Sequence, residues 1–244
     1  MVLAAGRGTR LRPLTDRVPK CMVPVAGKPL LEYTIEWLQG FGVTEVVINL
    51  SHLPDVIRSH LGDGNRWGVR ITYSMETEPL GTAGAVKKAA RFFDGPFFVW
   101  YGDNLSTCNL ARLYEVHRAK GGRATIAVHR RDDPVQSGIV GLNEDDRVVR
   151  FVEKPRPEEV FSPWVSAGIF VLERRVLDVI PEEGVSDFGR DVFPSMLIAG
   201  ERLYGYRLSH DEGFWWADTP QDYEHVRAVS PELGRGRSRL TRGS

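Results

Sequence analysis

Hydrophobic and polar residues follow two different periods along the first half of the chain. Short β-branched and aromatic runs are typical of buried strands, and between them apolar residues recur at helical spacing. The pattern predicts a first strand that ends at Leu3-Ala4-Ala5 and further strands over Glu45 to Leu50, Val69 to Tyr73 and Phe97 to Tyr101. Between these strands it predicts helices over Leu30 to Leu38, Pro54 to Gly62 and Ala83 to Phe93. This alternation predicts an α/β fold, a three-layer αβα sandwich around a mostly parallel sheet.

The second half of the chain is richer in strands. Its first four predicted strands cover Thr125 to Val128, Gly138 to Leu142, Val148 to Val152 and Val165 to Leu172. Few helices separate the first three, so we expect a mixed, partly antiparallel layer that extends the sheet. Beyond them the pattern predicts a helix around Asp191 to Ile198, a strand over Leu203 to Leu208, a packed strand at Phe214 to Trp216 and a last helix that starts at Thr219-Pro220.

The composition excludes several classes of partner. The 244 residues include 32 basic and 32 acidic side chains, so no net charge favours nucleic acid or an anionic membrane. No apolar run approaches the ~20 residues of a membrane span, and no cleavable leader is evident. Cys21 and Cys108 have neither metal-ligand spacing nor a disulfide framework. We therefore expect a cytoplasmic protein, with residues 231–244 forming a basic, disordered tail.

A glycine-rich loop with several cations follows the first strand. Gly6 and Gly8 permit close approach of a ligand to the backbone and a positive φ, and Arg10 and Lys20 supply charge. The loop is not a dinucleotide fingerprint, because Leu11 occupies the third glycine position, and no Gly-Lys-Ser/Thr makes it a Walker A loop. Spacing alone leaves two interpretations open, a phosphate-binding nest and an ordinary strand-to-helix turn.

The order of the strands predicts that further candidate site residues lie near this loop. In parallel sheets ligands bind beyond the carboxyl ends of the strands. The loops after Ala5, Tyr73 and Tyr101 should therefore meet at one edge, which groups the glycine-rich loop with Gly81 and Asp103. A single carboxylate at a strand end is more often a turn or helix cap, but Asp103 and Asp218 together could hold Mg²⁺.

Seven motifs in order resemble the sugar-1-phosphate nucleotidylyltransferases, and the similarity covers nearly the whole chain. These motifs are Leu3 to Thr15, Pro19 to Pro29, Glu78 to Gly84, Gly102-Asp103, Phe151 to Pro155, Ser166 to Gly168 and Trp216 to Pro220. The resemblance implies a Rossmann-like nucleotide-diphospho-sugar transferase fold. It implies one domain over residues 1–230, with a nucleotide half at about 1–120 and a sugar-phosphate half at about 121–230.

The resemblance also implies a reaction. A nucleoside triphosphate (NTP) and a sugar 1-phosphate would give an NDP-sugar and pyrophosphate, with Mg²⁺ as cofactor. Arg10 would hold the β- and γ-phosphates and Lys20 the α-phosphate, as the catalytic residues. Nucleotide binding would involve Leu3, Ala4, Ala5, Gly6, Gly8, Thr9, Arg10, Glu76, Pro79, Gly81 and Thr82. Asp103 and Asp218 would be the metal ligands.

The sugar 1-phosphate would contact a second set of residues, which the resemblance gives as Gly138, Glu153, Lys154, Ser166 and Gly168. Glu153 would accept a sugar hydroxyl and Lys154 would contact the sugar phosphate, although such a Glu-Lys pair is usually a surface ion pair. Ser166 stands where relatives often carry Asn, so we expect that sugar contact to be altered or lost.

The choice of base and sugar rests on one loop. Glu78 to Gly84 resembles the mannose- and heptose-1-phosphate guanylyltransferases, which favours GTP and a manno-configured sugar. A uridylyl- or thymidylyltransferase is the alternative, and a non-catalytic nucleotide-sugar sensor or a glycosyltransferase is a more distant one. We expect no hexapeptide-repeat domain in this chain. The resemblance also implies a homodimer, because members of the family often form homodimers.

Overall fold

The computed structural model describes residues 1–229, in which strands and helices alternate in the first half and strands predominate in the second. The strands are β1 (Val2–Leu3), β2 (Pro24–Val25), β3 (Lys28–Pro29), β4 (Glu45–Leu50), β5 (Arg70–Met75), β6 (Phe97–Tyr101), β7 (Asn104–Ser106), β8 (Ala124–Arg130), β9 (Gly138–Leu142), β10 (Val148–Glu153), β11 (Trp164–Leu172), β12 (Leu203–Arg207) and β13 (Phe214–Trp216). The α-helices are α1 (Leu30–Gly40), α2 (Pro54–Leu61), α3 (Gly81–Lys88), α4 (Leu110–Lys120), α5 (Phe193–Ile198) and α6 (220–229).

The chain forms two units whose segments alternate along the sequence. The N-terminal unit contains residues 2–77, 101–107 and 212–229, and the central unit contains residues 78–100 and 108–211 together with Met1. The prediction of one domain over 1–230 stays a prediction, as do the cytoplasmic location and the homodimer. The predicted basic tail at 231–244 lies outside the described residues.

Three parallel strands form the sheet of the N-terminal unit. β4 pairs with β1 on one side and with β5 on the other, in a register that opposes Leu3 to Asn49 and Asn49 to Ser74. The carboxyl ends of the three strands therefore lie at one edge, as the sequence predicted for the loops after β1 and β5. Gly102 of the same unit also lies at this edge, because its N–H donates to the Leu3 carbonyl at 2.9 Å.

One hydrophobic cluster holds the remaining segments of the N-terminal unit together. Its buried members are Val23, Val25, Leu30, Leu105, Ala217 and Val226. Leu30 opens α1, whose apolar residues recur at helical spacing and are buried, as predicted. The last helix begins where the sequence predicted, and Thr219 and Asp222 exchange hydrogen bonds of 2.8 to 3.2 Å across its first turn.

The central unit is built on a mixed sheet, which confirms the prediction for the second half of the chain. Antiparallel pairs run in the order β10-β9-β11-β6, and β8 pairs with β11 antiparallel and with β12 parallel. The α/β fold class is confirmed, because helices accompany the strands in both units.

Two helices of the central unit differ from the prediction. α3 ends at Lys88 rather than continuing to Phe93, because the Ala89 N–H turns to the Val86 carbonyl and a separate 3₁₀ turn follows. Helix α4 was missed, because the buried His117 interrupts its apolar period. Its capping residue Asn109, whose side chain accepts from the Arg112 N–H at 3.0 Å, was the available signal. Within residues 1–229, no helix is long and apolar enough to cross a membrane.

Candidate active site

Two cations and two carboxylates meet in the N-terminal unit. The Lys20 ammonium donates hydrogen bonds to both Asp103 and Asp218, and the Arg10 guanidinium donates to Asp218 at 2.9 Å. The Lys20 side chain is only 8% exposed, whereas that of Arg10 is 47% exposed. The structure therefore brings together both predicted catalytic residues and both predicted metal ligands, which come from three distant parts of the sequence.

The backbone near Gly8 explains how Lys20 reaches this position. Lys20 opens a 3₁₀ turn, and the Val23 N–H that closes the turn donates to its carbonyl at 3.2 Å. Gly8 has a φ of 60°, and a Cβ there would lie 2.7 Å from the Cβ of Lys20. Only glycine fits this close approach in the left-handed region. Gly6 does not adopt a positive φ, and apart from its chain neighbours no protein atom lies within 4 Å of a Cβ there, so the predicted close approach of a ligand at Gly6 stays a prediction.

A short antiparallel pair brings the two aspartates to the same place. β7 and β13 pair so that Asn104 opposes Trp216. Asp103 directly precedes β7 and Asp218 follows β13 by two residues, so both lie at the same end of the two-stranded sheet. The pair is fixed by the hydrophobic cluster, which includes Leu105 and Ala217.

The charges in this cluster change the pKa of Lys20. Burial alone would lower its pKa, but the charges and hydrogen bonds of Asp103 and Asp218 outweigh burial and raise the pKa above its usual value. Lys20 is therefore a permanent cation. Burial of the neighbouring thiol, with the nearby Asp103 charge, raises the pKa of Cys21 to about 12, and the Lys20 charge opposes this rise only in part. Cys21 is thus a neutral, buried side chain.

The two carboxylates fit a divalent cation that also binds phosphate. Their oxygens already point at one positively charged group, the Lys20 ammonium. Within residues 1–229, no cluster of three or more His, Cys, Asp or Glu side chains could hold a metal without further ligands. Mg²⁺ typically takes one or two carboxylates and completes its shell with phosphate oxygens and water. The donor set therefore suits a metal that arrives with a nucleotide.

Two successive hydrogen bonds connect Ala4, the residue after β1, to Glu76 through Asn49. The Ala4 N–H donates to Asn49 Oδ1 at 2.7 Å, and Asn49 Nδ2 donates to Glu76 Oε1 at 2.7 Å. Glu76 is buried, with 5% of its surface exposed, directly after β5. Asn49 was not among the predicted site residues, although a polar residue inside the apolar run of β4 was a signal.

In the central unit, Glu153 lies in a space lined by glycines. Glu153 opposes Gly138 in the β9–β10 ladder, and its Oε2 atom would be 2.7 Å from a Cβ at Gly138 and 2.5 Å from one at Gly189. Burial raises the pKa of Glu153, and the positive charges of Lys154 and Arg190 oppose this rise. Gly189 and Arg190 were missed by sequence analysis because they lie far from the Glu-Lys motif along the chain.

Lys154 has an unusual backbone conformation. Its φ is 48°, a region that costs energy for residues other than glycine, and its N–H donates to the Ser137 carbonyl at 3.1 Å. Nearby in the sequence, Ser166 Oγ accepts from the Gly168 N–H at 3.2 Å and Gly168 has a φ of 65°. Such strained positions are common at ligand sites. The sugar-phosphate roles of these residues remain predictions.

The predicted nucleotide loop of the central unit has an exposed end and an anchored end. Pro79 is exposed, whereas Thr82 hydrogen-bonds through its N–H and its hydroxyl to Asp187. Gly81 has a φ of 76°, and a Cβ there would lie 2.4 Å from the Ser186 carbonyl oxygen. The glycine is therefore required by both conformation and space.

Comparison with known proteins gives a consistent set of similarities. The sequence model of the nucleotidyl transferase family matches residues 1–228. The chain is 37% identical to a mannose-1-phosphate guanylyltransferase of Mycobacterium tuberculosis (strain ATCC 25618 / H37Rv), over 95% of this chain and 65% of that protein. It is 35% identical to a UTP–glucose-1-phosphate uridylyltransferase of Synechocystis sp., over 96% of this chain and 63% of that protein. The chain thus spans less than two thirds of the length of these relatives.

A solved structure shares the fold. The chain is similar to HddC from Yersinia pseudotuberculosis, crystallised in complex with GMP-PN, with a TM-score of 0.79 and 26% sequence identity. The match covers 94% of this chain and 97% of that one.

Proposed function

The chain belongs to the nucleotidyl transferase family, and we propose that it joins a nucleoside triphosphate to a sugar 1-phosphate, giving an NDP-sugar and pyrophosphate. The observation that carries this proposal is the cluster of Arg10, Lys20, Asp103 and Asp218. Two polyanions must meet in this reaction, so most of the catalysis consists of positioning and charge neutralisation. The cluster supplies both.

In the proposed reaction a phosphate oxygen of the sugar 1-phosphate attacks the α-phosphorus of the triphosphate. A new P–O bond forms, and the bond from the α-phosphorus to its bridging oxygen breaks, so that pyrophosphate leaves with the bonding electrons. Arg10 and the backbone N–H groups of Gly8 and Thr9 hold the departing β- and γ-phosphates. Lys20 contacts the α-phosphate, where its permanent positive charge stabilises the developing negative charge.

Members of this family generally use a divalent metal. We assign Asp103 and Asp218 as its ligands and Mg²⁺ as the ion, which would add positive charge beside the phosphates. The two aspartates also orient Lys20, since each accepts a hydrogen bond from its ammonium group.

Glu76 supports the choice of guanine. A carboxylate accepts hydrogen bonds, and that of Glu76 is oriented by the bond that Asn49 donates to it. The pairing edge of guanine offers two adjacent N–H donors, whereas uracil and thymine offer one donor between two acceptors. The guanylyltransferase relative and the GMP-PN complex of HddC support the same base. The uridylyltransferase relative keeps uridylyl transfer as the second candidate.

The sugar 1-phosphate is assigned to residues of the central unit. Lys154 would bind the sugar phosphate, and Glu153 would accept a hydrogen bond from a sugar hydroxyl. Backbone at Gly138 and Gly168 would approach the sugar closely. Mannose 1-phosphate is the favoured substrate because of the named guanylyltransferase relative, with a heptose 1-phosphate next.

A pyrophosphate-release screen tests the proposal. ATP, GTP, CTP, UTP and dTTP are each combined with mannose, glucose and heptose 1-phosphates in the presence of MgCl₂. We expect the highest turnover with GTP and mannose 1-phosphate. Turnover with UTP or dTTP but not GTP would contradict the base assignment, and no turnover with any pair would contradict the enzymatic function.

Glu76→Gln sharpens the base assignment. The amide replaces an acceptor by a donor, so kcat/KM for GTP should fall by about 10- to 100-fold, while that for UTP falls less. Glu45→Gln is the matched control, because Glu45 is exposed in the same unit, at the start of β4. An unchanged preference in Glu76→Gln would show that Glu76 does not contact the base.

A further inference from the structure

A second segment of the central unit is hydrogen-bonded to the predicted nucleotide loop. We refer to residues 186–190 as the clamp segment and to residues 80–84 as the Gly81 turn. The Ala83 and Gly84 N–H groups donate to the Ser186 carbonyl at 2.8 and 3.0 Å, and the Ser186 N–H donates to the Leu80 carbonyl at 2.9 Å. The clamp segment therefore holds the backbone of the Gly81 turn from a position about 100 residues away in sequence.

Side chains strengthen this attachment. Asp187 Oδ1 accepts hydrogen bonds from both the N–H and the hydroxyl of Thr82, each at 3.0 Å, and the Thr82 hydroxyl accepts from the Phe188 N–H at 2.9 Å. Thr82 lies in the first turn of α3, and Leu80, the residue that precedes this helix, provides no side-chain cap. Asp187 therefore acts as the helix cap, supplied by a distant segment.

The other end of the clamp segment reaches Glu153. Phe188 and the next residues form a single π-helical turn, and Gly189 in that turn leaves room for the Glu153 carboxylate. Arg190 contributes positive charge at Glu153. The turn is anchored by Phe188, which is fully buried and contacts the rings of Phe170 and Phe193. One rigid segment thus touches both the Gly81 turn and the Glu153 site.

We propose that Asp187 is a positioning residue for nucleotide binding, which fixes the Gly81 turn and couples it to the Glu153 site. The proposal rests on the proposed function for the role of the Gly81 turn, and it goes beyond that function because Asp187 itself contacts no substrate. If the clamp is lost, the Gly81 turn must be ordered each time a nucleotide binds, so the cost appears mainly in KM for the nucleotide rather than in kcat.

Four variants separate this role from general stability. Asp187→Ala and Thr82→Val remove the side-chain hydrogen bonds, while Asp187→Asn and Thr82→Ser retain an acceptor and a hydroxyl in the same places. Asn109→Ala is the control, since Asn109 caps α4 of the same unit with one hydrogen bond of 3.0 Å. We expect Asp187→Ala and Thr82→Val to raise KM for the nucleotide by about five- to tenfold, a typical effect of losing a cap. The conservative variants should restore the wild-type KM to within about twofold.

The double variant Thr82→Val/Asp187→Ala tests whether the two side chains act as one. We expect the effects of the two substitutions on KM to be less than additive, because each of them removes the bond between the Thr82 hydroxyl and Asp187. Additive effects would overturn the pairing. An unchanged nucleotide KM in Asp187→Ala, with only the loss of stability seen in Asn109→Ala, would overturn the positioning role.

Hydrogen–deuterium exchange keeps this test separate from that of the proposed function. Asp187→Ala should lose protection at the amides of residues 82–84, and Asn109→Ala should not. Wild-type protein that turns over no substrate pair would contradict the proposed function, whereas active wild type with unchanged exchange at 82–84 in Asp187→Ala would contradict the clamp alone.

Discussion

A buried charged side chain is paired directly with opposite charges in the N-terminal unit, but its burial is only partly compensated in the central unit. In the N-terminal unit, the Lys20 ammonium is paired directly with Asp103 and Asp218, and these pairs outweigh burial to raise its pKa. In the central unit, burial is the largest influence on Glu153, and the charges of Lys154 and Arg190 only partly oppose it. In the first site opposite charges are paired directly. The second site is a space around Glu153 that exists because Gly138 and Gly189 have no side chains.

The same contrast holds for the backbone. In the N-terminal unit, Lys20 and its two aspartate partners each lie close in sequence to a buried member of one hydrophobic cluster, namely Val23, Leu105 or Ala217. In the central unit, Lys154 instead has an unfavourable backbone conformation with a positive φ, and glycines lie against Glu153. Packing positions the first site, and conformational restriction positions the second.

The largest effect is expected when the compensated charges of the N-terminal unit are broken. Lys20→Ala should lower kcat by about 10²- to 10³-fold, because it removes the cation proposed to stabilise the α-phosphate. It also leaves Asp103 and Asp218 facing each other without the ammonium, which should lower the free energy of unfolding by about 1–3 kcal/mol. Urea unfolding and pyrophosphate release measure the two effects.

Two comparisons identify the cause of that loss. MgCl₂ should restore more stability to Lys20→Ala than to wild type, since a divalent cation can compensate the two aspartates. Arg70→Ala is the control, because Arg70 pairs with Glu45 on the exposed surface of the same unit and should cost at most about 0.5 kcal/mol. Equal losses in the two variants would show that the buried Lys20 pairs stabilise this unit no more than an exposed ion pair does.

A smaller effect is expected when the glycine-lined space of the central unit is filled. A Cβ at position 189 would lie 2.5 Å from Glu153 Oε2 and 3.1 Å from the Phe151 ring, so Gly189→Ala must displace the carboxylate. We expect KM for the sugar 1-phosphate to rise by about tenfold, since one oriented hydrogen bond to the sugar is lost. Steady-state kinetics at saturating nucleotide measures this change.

Gly95→Ala provides the matched control for this substitution. It lies in the same unit, has no positive φ, and its Cβ would meet no atom within 4 Å. Its kinetics should equal those of wild type. If Gly189→Ala also leaves the sugar 1-phosphate KM unchanged, the space around Glu153 is not part of the site.

The smallest effect concerns acid sensitivity of the central unit. Burial, with a contribution from Arg131, lowers the pKa of His129 from 6.5 to about 4. Below pH 6.5 the unfolded chain therefore binds a proton that the folded chain does not, so stability falls as the pH drops from 6.5 towards 4. Between pH 6.5 and 5.5 this should cost wild type about 1 kcal/mol that His129→Gln does not lose.

Urea unfolding of both proteins at pH 7.0 and pH 5.5 measures the difference. His210→Gln is the control, because His210 is exposed in the same unit. A loss of stability between the two pH values that is identical in wild type and His129→Gln would show that His129 does not control this acid sensitivity.

Much of the fold could be predicted because its signals are local. The helix at Leu30 and the strands at Glu45 and Phe97 follow directly from the spacing of their apolar residues. Helix α4 could not, since His117 is buried there through hydrogen bonds to Thr125 and Glu173 that no local pattern reveals. The end of α3 also depends on backbone hydrogen bonds that propensity does not specify.

The sequence alone was sufficient to identify the nucleotidyl transferase family and the four charged residues of the N-terminal site. Both follow from motifs that contain these side chains and occur in the same order as in the family. Only the tertiary structure decided which of these residues meet. The β7–β13 register places Asp103 beside Asp218, and the clamp segment brings Asp187 to Thr82 across about 100 residues. The first contact arises from strand pairing and the second from hydrogen bonds between two distant segments, and spacing along the chain predicts neither.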